Sequence, residues 1–564
     1  MPKIEVHEDL FNSLVNHPYS DDELEMILPV AKAELDGHDK NEHLYKIELN
    51  DTNRPDLWSA GGVTRAINTY ESKTLPQYDF FSSKDETKES GGRELIVHPS
   101  VKEVRPFSVG FSVTGKVVDE NILESLIQTQ EKLCNNFGRK RKSIAIGVYR
   151  SDLITFPVHY KGVDPDSYSF VPLGMDESLT LREITKKHPK GLEFGPIVQD
   201  SPLYPYLTDD NGDVLSFPPV INSAHIGAVQ VGDEHLFFEF SGSGLDDLLL
   251  ASSIVAMDCA DLGYTILPVK CTLGGETEYG TSITVPYYFQ KEATCPLPFL
   301  FKTLGEKLSD ELIIEALTKM GIESTISNNS VVIKVPANRN DFLHPVDIVE
   351  DVMIGRSLAL FSPELPKDST VGRLSKAEQL ARKVKDICIG MGFQEMMYNY
   401  LGSRKEYIDN MHVSGDDYIQ IANPMSENYE YVRPSIIPSL LESESMSAHA
   451  IYPHHIFEVG KVAYLCESDN SGTVTRNHLG FLSAAGEMGF NQLNSYISTL
   501  FYYLNVQYVM SELVDPRFIT GRCGTVVVDG KEVGIFGEVH PQVLESWNIT
   551  MPTIACEIDL DSFL

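Results

Sequence analysis

Two stretches of this chain repeat one pattern, and that repeat limits its possible folds more than any other feature. KIELNDTNRPDLWSAGGVTRAI near the N-terminus and VVIKVPANRNDFLHPVDIVEDVMI from Val331 onward have the same order. Each reads as an alternating strand, an Asn-Arg-x-Asp turn, an apolar residue and the start of a helix. Asn53, Arg54 and Asp56 correspond to Asn338, Arg339 and Asp341, and Val63 corresponds to Ile348. The chain must therefore build two strand–turn–helix units. The shared polar residues have a structural reading, with the Asp capping the turn and the Arg pairing locally.

The copies differ where chemistry enters. Asp347, Glu350 and Asp351 of the second stand where the first has Gly62, Arg65 and Ala66. Pro345 suits the first turn of a helix. At about 100° per residue the three acids fall within an arc of about 100°, and Val346, Val349 and Met353 take the neighbouring face. Asp341, in the preceding turn, can approach the same edge. Two readings stay open. Four carboxylates so placed suit a hard cation such as Mg²⁺. Alternatively they complement the helix dipole, which accounts for Asp347 better than for three like charges on one face. No nucleophile or base stands beside them, so they are not a catalytic motif as they stand.

The rest of the chain reads as an α+β multidomain protein. Four modules are expected, at residues 1–85, 90–275, 285–362 and 366–564. ESKTLPQYDFFSSKDETKESGG (71–92) and FSPELPKDSTVGRL (361–374) read as linkers. Helices are expected at DDLLLASSIVAMDCADLG, at about 309–320 and at SKAEQLARKVKDICIGMG. Strands are expected at Glu94–Val97, Ser143–Val148, TSITVPYYFQ and GTVVVDGKEVGIFGEVHP. No apolar run approaches the roughly 20 residues that span a bilayer. The acidic start MPKIEVHEDLFNSLV has no signal-peptide shape. The eight cysteines include no CxxC pair, so neither a zinc knuckle nor a disulfide framework is indicated. A cytoplasmic setting is the expectation. Lys and Arg number 46 against 81 Asp and Glu, a net charge of −35, which argues against a large nucleic-acid footprint. The one dense basic run is Gly138-Arg139-Lys140-Arg141-Lys142, a solvated loop or a local contact with RNA backbone.

NDTNRPDLWSAGGVTRAI, FPPVINSAHIGAV, NRNDFLHPVDIVEDVMIGR and GEVHPQVLESWNI, in this order, resemble the β subunit of phenylalanine–tRNA ligase of the archaeal and eukaryotic type. The resemblance implies an N-terminal module and an α/β editing domain of the B3/B4 kind. A small winged-helix-type B5 domain follows, then a C-terminal antiparallel-sheet domain like a class II synthetase without its catalytic motifs. It implies that Asp341, Asp347, Glu350 and Asp351, which meet the family's Asp-x5-Asp-x2-Glu-Asp spacing, bind Mg²⁺ near the other subunit. It implies an α subunit in an α2β2 heterotetramer that uses ATP to attach phenylalanine to tRNA(Phe).

The loss of class II motifs is also visible in the residues. Arg433, in YVRPSIIPSLL, is not followed by x-Glu, and GFLSAAGEMGF supplies glycines but no Arg. The editing that the resemblance implies is hydrolysis of tyrosyl-tRNA(Phe). Such a pocket must accept the phenol hydroxyl by a hydrogen bond, since a site that pairs a hydroxyl rejects the analogue lacking it. Glu239 in LFFEFSGSG is the expected acceptor. Asn222, Ser223 and Ser241 are expected to orient water or ester, and His225 to move a proton. Each has a plainer role: Asn222 and Ser223 as turn formers, Glu239 on the solvent face of a strand, and His225 on the surface. The family often carries an acid near the position of Gly244. Competing readings of the whole chain are a stand-alone Mg²⁺-dependent hydrolase and a non-enzymatic acidic scaffold.

Overall fold

Alternating apolar residues in Lys3–His7, Ala33–Asp39 and Leu44–Leu49 make an antiparallel sheet with Leu44–Leu49 at its centre, burying Ile4, Val6, Tyr45 and Ile47. The structure, a computed structural model, describes residues 2–564 and divides into two units that meet between Glu364 and Leu365. Within the first unit this sheet leads into helix α1 (Ala60–Ser72), whose Val63 and Ile67 are fully buried.

The stretch 71–92 does not run free. Its aromatic residues give it something to bury. Tyr78 donates to Asp261 (2.8 Å), Ser82 is buried, and the Ser82 backbone bonds to Pro286 (2.9 Å) and Tyr288 (2.7 Å). The linker expected there is therefore docked at Tyr78 and Ser82. Residues 361–374 contain no regular helix or strand beyond the preceding turn and are almost wholly exposed.

Two further sheets follow. A mixed seven-stranded sheet runs in the order 221–222, 214–217, 204–208, 158–163, 94–97, 269–277, 280–285. An antiparallel four-stranded sheet contains β1 (Phe107–Thr114), β2 (Ile144–Arg150) and β3 (Leu236–Gly242), with β3 between β1 and β2. Helix α2 (Leu245–Asp261) is apolar nearly all round, so it lies inside, packed against β1 and β3. The small module that follows joins a three-stranded sheet (292–296, 330–334, 323–327) to α3 (Asp310–Lys319) and α4 (Pro345–Arg356). The two helices cross closely at Gly355, where a Cβ would lie 2.1 Å from the Ala316 carbonyl oxygen.

The second unit is a seven-stranded sheet, antiparallel except where Gln394–Glu395 joins His454–Leu465. Helices 376–390 and 490–504 cover one core, and 437–446 and 541–546 cover a second. No helix of the described residues is long and apolar enough to cross a membrane.

Candidate functional site

The two Asn-Arg-x-Asp turns meet face to face. Arg54 donates to both oxygens of Asp56 (2.8 Å each), and Arg339 pairs in the same way with Asp341. Asn338 reaches across to Asp56 (3.4 Å), and Arg54 Nε lies 3.9 Å from Asp341. The local Arg–Asp pairing is as the sequence suggests, but the Asp residues do not cap the helices. Ser59 caps α1, and the His344 side chain caps α4. The first copy has no room for the second copy's acids: a Cβ on Gly62 would sit 1.8 Å from the Asp56 carbonyl oxygen.

The four acids of the second copy are given separate duties. Asp341 is buried. Burial would raise its carboxyl, but Arg339 outweighs that and holds it down to about 2. Asp347 accepts from the backbone N–H groups of Leu343 and His344 (2.7 and 2.6 Å), fixing the start of α4. Glu350 is exposed and pairs with Lys32 (3.0 Å). Asp351 is fully buried, and burial pushes its carboxyl up. Arg339 Nη2 lies 2.8 Å away, yet neither Asp351 oxygen makes an aligned hydrogen bond. Among the described residues no group of three or more His, Cys, Asp or Glu side chains is arranged to hold a metal. The donor chemistry suits Mg²⁺, and Asp351 is held by Arg339 through an ion pair without an aligned hydrogen bond. The converging four-acid cluster expected from the spacing is not formed in this chain by itself, because each acid is held by a neighbour.

The middle module holds the stronger site. Glu239 sits at the centre of β3, between Gly110 of β1 and Gly147 of β2. It is not on a solvent face, being only 1% exposed. A Cβ on Gly147 would lie 2.0 Å from the Tyr149 hydroxyl, so the glycine lets that ring lie beside the acid. Tyr149 in turn donates to Ser216 (2.7 Å). Burial pushes the Glu239 carboxyl up to about 7, against the Ser108 hydroxyl, which donates to it (2.7 Å), and the nearby Arg105 guanidinium. A carboxyl in this state changes charge near neutral pH, as few carboxyls do.

Glu239 opens onto a cavity of about 400 Å³, lined also by Tyr149, Ser216, Asn222, Arg141 and Lys190. The Asn222 amide makes two long contacts (3.4 Å each), to Val148 and Gly227. Gly227 makes its placement possible, since a Cβ there would lie 2.4 Å from Asn222 Cβ. The remaining expected residues lie outside the cavity. Ser223 accepts from Ile226 N–H (3.3 Å) and shapes a turn, and His225 is exposed on that turn. Ser241 is buried on the same face of β3 as Glu239, two residues on, and does not line the cavity. Gly244 precedes α2 and does not line the cavity either.

Sequence reasoning missed Ser108, Tyr149, Ser216, Arg105 and Lys190. Gly147 two residues before Tyr149 was a usable signal, while Ser108 becomes relevant only once β1 pairs with β3. Buried Arg105 donates to the backbone of Arg141 and Lys142 (3.2 Å each) and of Ser241. It thereby holds the basic turn, in which Arg139, Lys140 and Arg141 all take left-handed φ. Arg141 is engaged with Pro219, Val220 and the Phe194 ring, whereas Arg139, Lys140 and Lys142 face solvent.

In the second unit Arg433 is completely buried. It forms an ion pair with Glu458 (2.7 Å) and donates to the Lys461 carbonyl (2.9 Å). Gly460 makes room for it, since a Cβ there would lie 2.5 Å from its guanidinium. This arginine holds the sheet together and is not free to hold a nucleotide.

Residues 294–356 match the family described as tRNA synthetase B5 domain. Residues 362–560 match that described as Phenylalanyl tRNA synthetase beta chain CLM domain. Two proteins called phenylalanine–tRNA ligase beta subunit are similar over 100% of both chains. That of Borrelia garinii is 46% identical over 567 residues, and that of Borreliella burgdorferi is 45% identical over 565. A solved N-terminal fragment of the phenylalanyl-tRNA synthetase beta subunit of Pyrococcus horikoshii is 36% identical with a TM-score of 0.58. That match covers 63% of this chain and 99% of the fragment. The chain belongs to the family of phenylalanine–tRNA ligase β subunits. These full-length relatives are bacterial and the fragment is archaeal, and together they show the family.

Proposed function

We propose that the chain works as the β subunit of an α2β2 phenylalanine–tRNA ligase laid out in the archaeal and eukaryotic manner. In this reading an α subunit uses ATP to attach phenylalanine to tRNA(Phe), in the cytoplasm, and this chain hydrolyses tyrosyl-tRNA(Phe). The observation that carries the editing role is Glu239, a buried acid on the wall of a cavity. Its carboxylate accepts a hydrogen bond from the tyrosine hydroxyl, while phenylalanine leaves the buried acid with Ser108 as its donor and without that bond, and is disfavoured. Asn222 stands on the same wall to orient the ester or a water. Arg139, Lys140 and Lys142 beside the cavity meet the tRNA backbone, a local footprint consistent with a net charge of −35.

Mg²⁺ would be held by Asp347, Glu350 and Asp351 once Lys32 releases Glu350, with Asp341 remaining on Arg339. Bound there, it would supply a hard positive charge at the start of α4. The stand-alone hydrolase reading loses ground, because the acids have separate partners and no nucleophile stands beside them.

Glu239→Ala tests the editing role. A hydrogen bond to a charged group is worth roughly 1.5–3 kcal/mol, so tyrosyl-tRNA hydrolysis by the reconstituted enzyme should slow on the order of 10- to 150-fold. Phenylalanine attachment should stay near normal. Unchanged hydrolysis of tyrosyl-tRNA would remove Glu239 from the role.

A further inference from the structure

Beyond Glu239 and Asn222, the cavity in the middle module has features that a tyrosine side chain leaves unused. Its volume, about 400 Å³, exceeds what a phenol ring fills and is of the size that holds a whole small ligand. Ile127 and Leu173 also line it and are exposed, offering apolar surface to a flat ring.

Two cations line the same cavity, and they differ. Lys190 is paired with Glu193 (3.1 Å). Arg141 is paired with no carboxylate among the described residues, in a chain of net charge −35. It donates through Nη1 alone, to the Pro219 and Val220 carbonyls (3.1 Å each), and its guanidinium lies 4.1 Å from the centre of the Phe194 ring. Its Nε and Nη2 make no hydrogen bond and remain open to solvent. These are the same two donors with which Arg54 grips both oxygens of Asp56. The carbonyls and the ring hold the plane of the Arg141 fork, so little freedom is lost when an anion meets the remaining pair. A guanidinium so held, with no counter-charge, suits two oxygens of one phosphate.

Tyrosyl-tRNA carries a phosphate at the right remove. The tyrosyl group is esterified to the ribose of the last nucleotide, and the phosphate of that nucleotide lies on the far side of the same sugar. We infer that the cavity takes the whole terminal nucleotide together with its tyrosyl group, and that Arg141 binds the phosphate. The identity of the ligand rests on the editing reading. Glu239 then selects the amino acid, Arg141 selects the nucleotide that carries it, and Ile127 and Leu173 receive the base.

The full chain is titrated calorimetrically with the stable tyrosyl amide of 3′-amino-3′-deoxyadenosine, with the same amide bearing a 5′-phosphate, and with AMP. The parent should bind the phosphorylated amide roughly 10- to 150-fold more tightly than the plain one, the worth of a hydrogen bond to a charged group. AMP, which lacks the tyrosyl group, should bind more weakly than the phosphorylated amide by a similar factor. Arg141→Gln should bring the two amides close to equal affinity. Crystals of the parent soaked in the phosphorylated amide should show its phosphate on Arg141, a readout that needs no variant. Binding of the amides needs no hydrolysis. A parent that binds them in this order but leaves tyrosyl-tRNA intact would therefore remove the editing role and keep the phosphate site. The inference is overturned if the phosphate adds nothing to affinity in the parent, if Arg141→Gln keeps the full ratio, if AMP binds as tightly as the phosphorylated amide, or if the soaked phosphate lies elsewhere.

Discussion

Replacing Glu239 by Gln should alter how the stability of the first unit depends on pH. Burial holds the Glu239 carboxyl at about 7 in the folded chain, against an ordinary value of 4.5. Between those values the folded state binds more protons than the unfolded state, so stability falls as pH rises through that window and levels off above it. The gap of about 2.5 units corresponds to about 3 kcal/mol in total, at about 1.4 kcal/mol per unit. Work must stay clear of the isoelectric point near 4.8. From pH 5.5 to 8 the two titration curves leave about 2 kcal/mol of that loss to be measured. Glutamine does not titrate, so relative to the parent Glu239→Gln should gain about 2 kcal/mol across this range. Urea unfolding read from Trp58 reports on this unit, after Trp547→Phe removes the other of the chain's two tryptophans. Parallel pH profiles for parent and variant would refute the argument, because they would mean that Glu239 ionises normally and is solvated.

Three further outcomes are expected. The chain alone should catalyse no ATP–pyrophosphate exchange, since Arg433 is locked against Glu458, and exchange should appear when the α subunit is added. Glu458→Ala should destabilise the second unit by roughly 3–5 kcal/mol in denaturant titrations, because it strands a buried guanidinium; a loss below about 1 kcal/mol would mean that Arg433 reaches solvent. Asp347→Ala with Glu350→Ala should lower the Mg²⁺ content of the assembled enzyme, measured by atomic emission, and weaken assembly in sedimentation. If metal and assembly match the parent and only about 1 kcal/mol of stability is lost, Asp347 is a cap and Glu350 a surface charge.

The sequence alone was enough for whatever local chemistry and periodicity decide. The Arg-x-Asp pairs of both repeat copies are two residues apart, so they close on themselves wherever the turn is put. Helix α2 follows from an apolar run of the right length, and the missing Arg-x-Glu setting already told against nucleotide binding around Arg433. The family was legible because four motifs keep their order along the chain.

Tertiary structure decided which residues share a wall. Glu239 alternates with phenylalanines, a pattern that fits either an edge or a central strand. Only the pairing of β3 with both β1 and β2 buries it and brings Ser108 and Tyr149 to its side. Ser223 and His225 are near Asn222 in sequence, yet the turn they form carries them away from the cavity. The four acids of α4 and its preceding turn share an arc on paper, but Arg339 of that same turn holds Asp341 and Asp351, and Lys32, from elsewhere in the fold, claims Glu350. Spacing fixes direction along one helix or strand, whereas burial and the choice of partner come from segments hundreds of residues apart.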